Sequence, residues 1–242
     1  MAQEAAAAHH DGEHEDTTTG LNHRKMLMWA FLGSDCMFFG TLIATYLVYT
    51  GKSKVGPFPE DVFSIPVTSV STFVLLMSSM SMVLAYAALT RGNIKVFRVW
   101  LISTAIMGMT FLGFQVFEFR EFANHSVHLE CADLEPAKLT EFEKTFVDRC
   151  TEGVEKFDEQ HGLTPRTNLF GTTFFTLTGF HGAHVTLGVI WLLSILFHSF
   201  RGGVRPETNL DVDLAALYWH FVDVVWIVIF TVVYLFGVFP GI

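Results

Sequence analysis

Tyr218-Trp219-His220-Phe221-Val222-Asp223-Val224-Val225-Trp226 places a histidine and an aspartate three residues apart inside an apolar run from Leu214 to Phe239. The run is long enough to cross a bilayer, for which about 20 residues are needed. A charged carboxylate at that depth costs about 3 kcal/mol or more unless it is paired, so intramembrane ionisable residues are functional candidates. Asp35, Glu118, His181 and His184 repeat the pattern in other apolar runs. So few ionisable groups, spread over several runs, point to a polar interior rather than a simple anchor.

Of the 242 residues, 51% are hydrophobic and 16% charged, against about 25% charged in soluble domains. The chain is an integral membrane protein. Its net charge of -9 collects in the N-terminal tail and one long loop and implies no nucleic-acid partner. The first apolar run is too long for a signal-peptide core and no small-residue cleavage site follows it, so it is expected to remain as a span.

Continuous apolar segments predict five spans, Leu27–Tyr49, Val67–Leu89, Val99–Phe119, Leu169–Phe197 and Leu214–Phe239. Gly51, Pro57, Pro59 and Pro66 break the chain between the first two, and Thr90-Arg91-Gly92-Asn93 is a short turn before the third. Residues 1–26 read as a disordered cytoplasmic tail and 27–242 as one membrane domain. Residues 120–168 form a mostly acidic outer loop, with a short surface helix expected over Leu139–Val147. The fold class is all-α, a polytopic membrane helical bundle. The runs do not alternate, which excludes a β-barrel.

Lys and Arg near span ends set the orientation. With the N-terminus inside, the cytoplasmic flanks hold Arg24, Lys25, Arg91, Lys95, Arg98, Arg201 and Arg205, and the short outer loop holds Lys52 and Lys54. Cys131 and Cys150 then share the long outer loop, where an oxidising compartment favours a disulfide over two free thiols. Cys36 reads as a small residue within the first span.

At 1.5 Å per residue, Asp35 lies roughly 12 Å from the inner edge of its span, and His220 and Asp223 about 9 and 14 Å from theirs. These three are expected to share a layer, with Glu118 at the outer end and His181 and His184 near the midplane. His220 and Asp223, at i and i+3, occupy one helix face and are placed to hydrogen-bond. His181 and His184 have the same spacing, and Gly179 and Gly182 beside them allow another helix to approach closely. Ser78, Ser81, Ala85 and Ala88 make a comparable small-residue stripe on the second span. Three roles fit these polar groups: a satisfied network fixing helix register, a proton-handling or lipid-headgroup role, and a metal site. Helical di-metal sites use Glu-x-x-His pairs, and none occurs here. His10-Asp11-Gly12-Glu13-His14 reads as part of a solvated tail. There is no phosphate loop, dinucleotide fingerprint or zinc-protease helix. No cysteine pair for copper and no haem-attachment motif is present, so no redox centre is expected in this chain.

The residues quoted so far resemble subunit III of haem–copper terminal oxidases from Leu27 onward. YWHFVDVVWIVIFTVVYL in the last span and GTTFFTLTGFHGAHVTLG in the fourth are similar to that family's two strongest signatures. Gln115 and Glu118 in FQVFEF match a third, weaker one. The resemblance implies a bundle beside subunit I, carrying no haem or copper of its own, that stabilises subunit I and sustains proton uptake into it. It also implies phospholipid held in a cleft between two further helices and the remaining five. This chain departs from the larger members there, showing only five spans like the short bacterial form. The family's reactive intramembrane carboxylate matches Asp35 in Gly33-Ser34-Asp35. The loop with Cys131 and Cys150 is outside the usual pattern.

The expectation is therefore a non-redox subunit of a bacterial respiratory oxidase in the cytoplasmic membrane, with haem and copper in partner subunits I and II. Oxygen reduction to water would be coupled to proton translocation, with cytochrome c favoured over quinol as donor. The candidate proton-handling or lipid-contact residues are Asp35, Gln115, Glu118, His181, His184, His220 and Asp223, with no catalytic residue and no metal ligand. The rival classes are an assembly protein for a related reductase and a stand-alone transporter, and no inverted repeat supports the latter.

Overall fold

The computed structural model describes residues 22–50, 52, 63, 65–124, 129–130, 156–157, 163–166, 169–205 and 210–238. The five expected spans are helices: α1 His23–Tyr49, α2 Ile65–Thr90, α3 Ile94–Asn124, α4 Leu169–Phe200 and α5 Leu210–Ile229. The last continues as a π-helical turn, Phe230–Leu235, and a final α turn, Phe236–Val238. All five are long and apolar enough to cross a membrane. A two-residue antiparallel ladder, Leu129–Glu130 against Lys156–Phe157, lies between α3 and α4. Cys131, Cys150, Leu139–Val147 and His10–His14 fall outside the described residues.

The helices begin and end differently from the apolar runs, because capping chemistry carries them past the hydrocarbon. α1 starts four residues before Leu27, where the Asn22 side chain accepts from Arg24 N at 2.9 Å. Pro66 sits in the first turn of α2, where its missing N–H removes no helical bond. Gly92, at φ +77, ends α2: its N–H donates to Leu89 O and the Asn93 N–H to Ala88 O, both at 2.9 Å. This is the left-handed C-terminal motif that favours glycine. Asn93 Oδ1 then accepts from Val96 N at 3.3 Å and starts α3. Gly202, at φ +78, closes α4 in the same way.

α2 and α3 form the tightest pair, and α4 packs against α1, α3 and α5. Ser78, Ser81, Ala85 and Ala88 are all buried, as the small-residue stripe predicts. α1 is the outermost helix, burying only Met28, Leu32, Phe39 and Tyr46. Its first turn is tied to α5 by Arg24–Asp211 and Lys25–Asp213 ion pairs, both 2.7 Å. At the opposite end, Phe63 sits among the rings of Phe122, Phe170, Phe174 and Tyr234 at centroid distances of 5.7, 5.7, 5.1 and 4.5 Å.

The centre is organised by Trp219. Its indole fills a slot between α3 and α4 where both backbones carry glycine. A Cβ on Gly108 would stand 2.6 Å from Trp219 Cη2, and one on Gly188 2.9 Å from Cζ3. The indole Nε1–H donates to Ser78 Oγ on α2 at 3.0 Å. One side chain therefore touches three other helices. Gly108→Ala is expected to lower the thermal stability of the protein, since overpacking a filled site costs about 1–3 kcal/mol. Gly113→Ala, whose added Cβ meets nothing within 4 Å, should leave the melting temperature unchanged in the same assay.

Candidate functional site

Two turns of α5 beyond the indole slot, Trp226 repeats the arrangement. Its Nε1–H donates to Thr72 Oγ1 on α2 at 3.0 Å. Its ring stacks on His181 of α4, with centroids 4.9 Å apart and planes at 28°, and meets Phe111 of α3 edge-on at 4.8 Å. His181 is fully buried, and neither ring nitrogen has a hydrogen-bond partner. The imidazole here acts as a flat aromatic tile.

Asp35 and His184 are brought together. His184 Nε2 lies 3.2 Å from Asp35 Oδ2, with side chains only 16% and 13% exposed. This is an ion-pair distance whose angle falls short of a hydrogen bond, and Oδ2 has no other partner. His184 Nδ1 is 2.7 Å from the Phe180 carbonyl. A carbonyl only accepts, so Nδ1 carries a hydrogen, and the nitrogen facing Asp35 is the one free to gain or lose one. Phe39 packs against the imidazole at 5.0 Å. Tyr218 donates its hydroxyl to the His184 carbonyl at 3.0 Å and holds that turn of α4 in place.

Glu118 accepts from Thr68 Oγ1 on α2 and is 4% exposed. Gln115 Nε2 donates to Thr178 O on α4 at 2.8 Å. A Cβ on Gly182 would lie 2.6 Å from Gln115 Oε1. That glycine therefore makes room for an amide side chain, where a close helix backbone was expected, and Gly179 has nothing within 4 Å of an added Cβ.

Two expectations are corrected. His220 and Asp223 do not bond each other: His220 Nδ1 pairs with Ser79 Oγ on α2 at 2.6 Å, and Asp223 is buried without a direct hydrogen-bond partner. His181 and His184 separate, one into the aromatic interior and one toward α1. Asp35, expected to share a layer with His220 and Asp223, has its ion-pair partner on α4. Among the described residues, no three His, Cys, Asp or Glu side chains converge as metal ligands would.

Sequence reasoning missed the hydroxyls of α2. Thr68, Thr72, Ser78 and Ser79 bond Glu118, Trp226, Trp219 and His220 in turn. The signal was present as a run of Ser and Thr in one apolar helix.

Five membrane-length helices enclosing paired acids, imidazoles and hydroxyls define a polytopic membrane protein with a polar interior. A sequence profile described as "Cytochrome c oxidase subunit III" matches residues 152–238. The chain is 34% identical to quinol oxidase subunit 3 of Bacillus spizizenii over 86% of this chain and 85% of that protein. It is 34% identical to cytochrome c oxidase subunit 3 of Bacillus sp. (strain PS3), over 86% and 84%. It is 32% identical to cytochrome c oxidase subunit 3 of Alkalihalophilus pseudofirmus, over 93% of each. The chain belongs to the subunit III family of haem–copper oxidases, and its enzymatic role is that of one subunit of a terminal oxidase complex.

His181→Phe keeps the tile and removes two unpartnered polar atoms, so thermal stability should be unchanged or higher. His181→Ala removes the stack on Trp226 and should cost about 3 kcal/mol, as for other large aromatic truncations. Thermal melts of the two variants against wild type check both outcomes.

Proposed function

We propose that this subunit supports proton uptake into a neighbouring subunit I through the Asp35–His184 pair. The observation that carries the reading is His184 Nε2 facing Asp35 Oδ2 at 3.2 Å while Nδ1 is committed to the Phe180 carbonyl. The favourable arrangement puts one proton between the two groups. It sits either on Asp35, directed at Nε2, or on Nε2 as imidazolium beside a carboxylate. Both forms are neutral overall, so the proton changes sides without leaving an unpaired charge at depth.

The remaining parts of the reading concern context. The chain contacts subunit I chiefly and subunit II secondarily, and those partners hold the haem and copper. The complex resides in a bacterial cytoplasmic membrane with the N-terminus of this chain inside, which puts the basic ends of α1, α3 and α4 on the cytoplasmic side. The apolar outer surface, including Trp29, Phe73, Val99 and Leu187, is exposed and suits lipid and subunit contact. Cytochrome c is the donor we assign, because in this orientation the long stretch of sequence between α3 and α4 falls on the outer side, where a periplasmic partner would dock. Quinol is the second reading, since relatives carry both names. Oxygen uptake by the purified complex with each reduced donor separates them.

Asp35→Asn keeps the side-chain size and loses the exchangeable proton. The expected outcome is normal assembly, with slower proton uptake or earlier loss of activity during sustained turnover. Proton-uptake kinetics and turnover lifetime of the reconstituted complex are the measurements. A variant that assembles and turns over for as long as wild type reduces the pair to a structural contact.

A further inference from the structure

The contact between α2 and α5 holds a second acid–base set, with a hydroxyl of the facing helix bonded to its base. His220 Nδ1 lies 2.6 Å from Ser79 Oγ, and Asp223 follows three residues along α5, on the neighbouring position of the same helix face. Asp223 is 3% exposed, and neither of its oxygens is in hydrogen-bond geometry with a described group. A serine hydroxyl has one hydrogen, so it donates to His220 or to Asp223 but not to both. An ionised Asp223 beside a hydroxyl already given to His220 is an unpaired buried charge, the costliest state for that group. A protonated Asp223 escapes this, because its own O–H can turn to Ser79 Oγ.

We propose that Asp223, Ser79 and His220 form a hydroxyl-bridged proton relay that loads and unloads Asp223 through the imidazole. In the loaded state Asp223 O–H donates to Ser79, Ser79 O–H donates to His220 Nδ1, and the imidazole hydrogen is on Nε2. Unloading moves the Asp223 hydrogen to Ser79 and the Ser79 hydrogen to Nδ1, while Nε2 gives its hydrogen to an acceptor outside. One proton leaves and no electrons move. The chain of bonds then runs the other way, from Nδ1–H to Ser79 and from Ser79 O–H to the carboxylate. Donors and acceptors along the bridge are satisfied in both states.

His220 is the outward end. It is half-buried where Asp223 is closed. On the same side of α5, Val224 and Ile227 are 57% and 40% exposed, and beside Ser79 on α2 Leu76 and Met80 are 37% and 58% exposed. The imidazole is a polar break in an apolar face, which is where a proton passes to or from an acceptor beyond the bundle. The other charged and titratable groups on the elements packed against α5 are engaged elsewhere or lie at helix ends. α2 contains no Asp, Glu, Lys, Arg or His. Of the helices packed on α5, α4 brings His181, His184 and His198, and α1 brings Asp35 with His23, Arg24 and Lys25 at its start. Asp35 and His184 face each other, His181 is enclosed by rings, Glu118 of α3 accepts from Thr68, and His23, Arg24, Lys25 and His198 lie at helix ends. Asp211 and Asp213 of α5 are paired with Arg24 and Lys25. The relay stands apart from the Asp35–His184 reading, and failure of either leaves the other intact.

The test is time-resolved infrared spectroscopy of the purified complex after a pH jump. The carboxylic C=O band that disappears in Asp223→Asn reports the loaded acid. Ser79→Ala should slow the change of that band by roughly tenfold or more, equivalent to a barrier about 1.36 kcal/mol higher, and Ser79→Thr should restore the rate. His220→Gln breaks the outer end without touching Ser79 and should slow the band equally, which keeps the test decisive if Ser79→Ala fails to assemble. Equal rates in the interrupted variants and wild type overturn the relay. So does the absence of any carboxylic band lost in Asp223→Asn.

Discussion

The indole of Trp219 in its glycine-lined slot is the contact on which the other arrangements depend. Within a bilayer, helices gain little from the hydrophobic effect on meeting one another, so close packing and hydrogen bonds must hold them. Trp219 supplies both, filling the space left by Gly108 and Gly188 and donating to Ser78. Anchoring α5 at that level also fixes its register along α2. The next tryptophan on the same face is seven residues on, about 10.5 Å along the axis, while Ser78 to Thr72 is six residues, about 9 Å in the antiparallel sense. Trp226 therefore lands at Thr72, and residues beside Trp219 meet partners of their own. Tyr218 reaches the His184 carbonyl and His220 reaches Ser79. A shift of one helical step would break all of these at once.

α2 makes the polar interior possible. A hydroxyl is the least costly polar group to carry inside an apolar helix, because it can bond the carbonyl three or four residues back when no better partner is present. Ser71 and Thr72 do this to Thr68 O, and Ser78 to Leu75 O, at 2.9, 2.7 and 2.6 Å. The same oxygens remain able to accept from an indole, as Thr72 and Ser78 do. Thr72 and Ser78 are thus satisfied as donors within their own helix and as acceptors across the interface, while Thr68 donates across it to Glu118. α3 and α5 can then bear a glutamate and two tryptophans without stranding polar atoms.

The spans were legible in the sequence because bilayer thickness imposes a length on apolar runs, and the helix ends were not, because Asn22, Asn93 and the two positive-φ glycines act by capping rather than by hydropathy. The interior acids announced themselves through the cost of placing charge among Leu, Val and Phe. Their partners did not. Spacing along one helix places His220 beside Asp223 and His181 beside His184, yet neither pair is bonded internally. Which neighbour lies opposite is set by the Trp219 slot, a three-dimensional register that no single segment encodes. Ser79 was invisible for that reason: nothing in its own helix distinguishes it from Ser78, and only the meeting of α2 with α5 sets it against His220.

The two acid–base sets solve the same electrostatic problem in different settings. An isolated ion in a medium of low dielectric pays a large desolvation penalty, whereas an acid and an imidazole sharing one proton are neutral wherever that proton sits. Moving it then costs only the difference in basicity between the two ends. In the proposed function Asp35 and His184 would do this by direct approach, at 3.2 Å and with both side chains partly exposed. Asp223 is too enclosed for direct approach, and in the proposed relay a hydroxyl on the facing helix spans the gap. The hydroxyl adds a requirement that the direct pair lacks, since α2 and α5 must hold their mutual register for transfer to occur. The relay, so proposed, ties proton traffic at Asp223 to the integrity of the helix packing, and so to the indole slot one turn away.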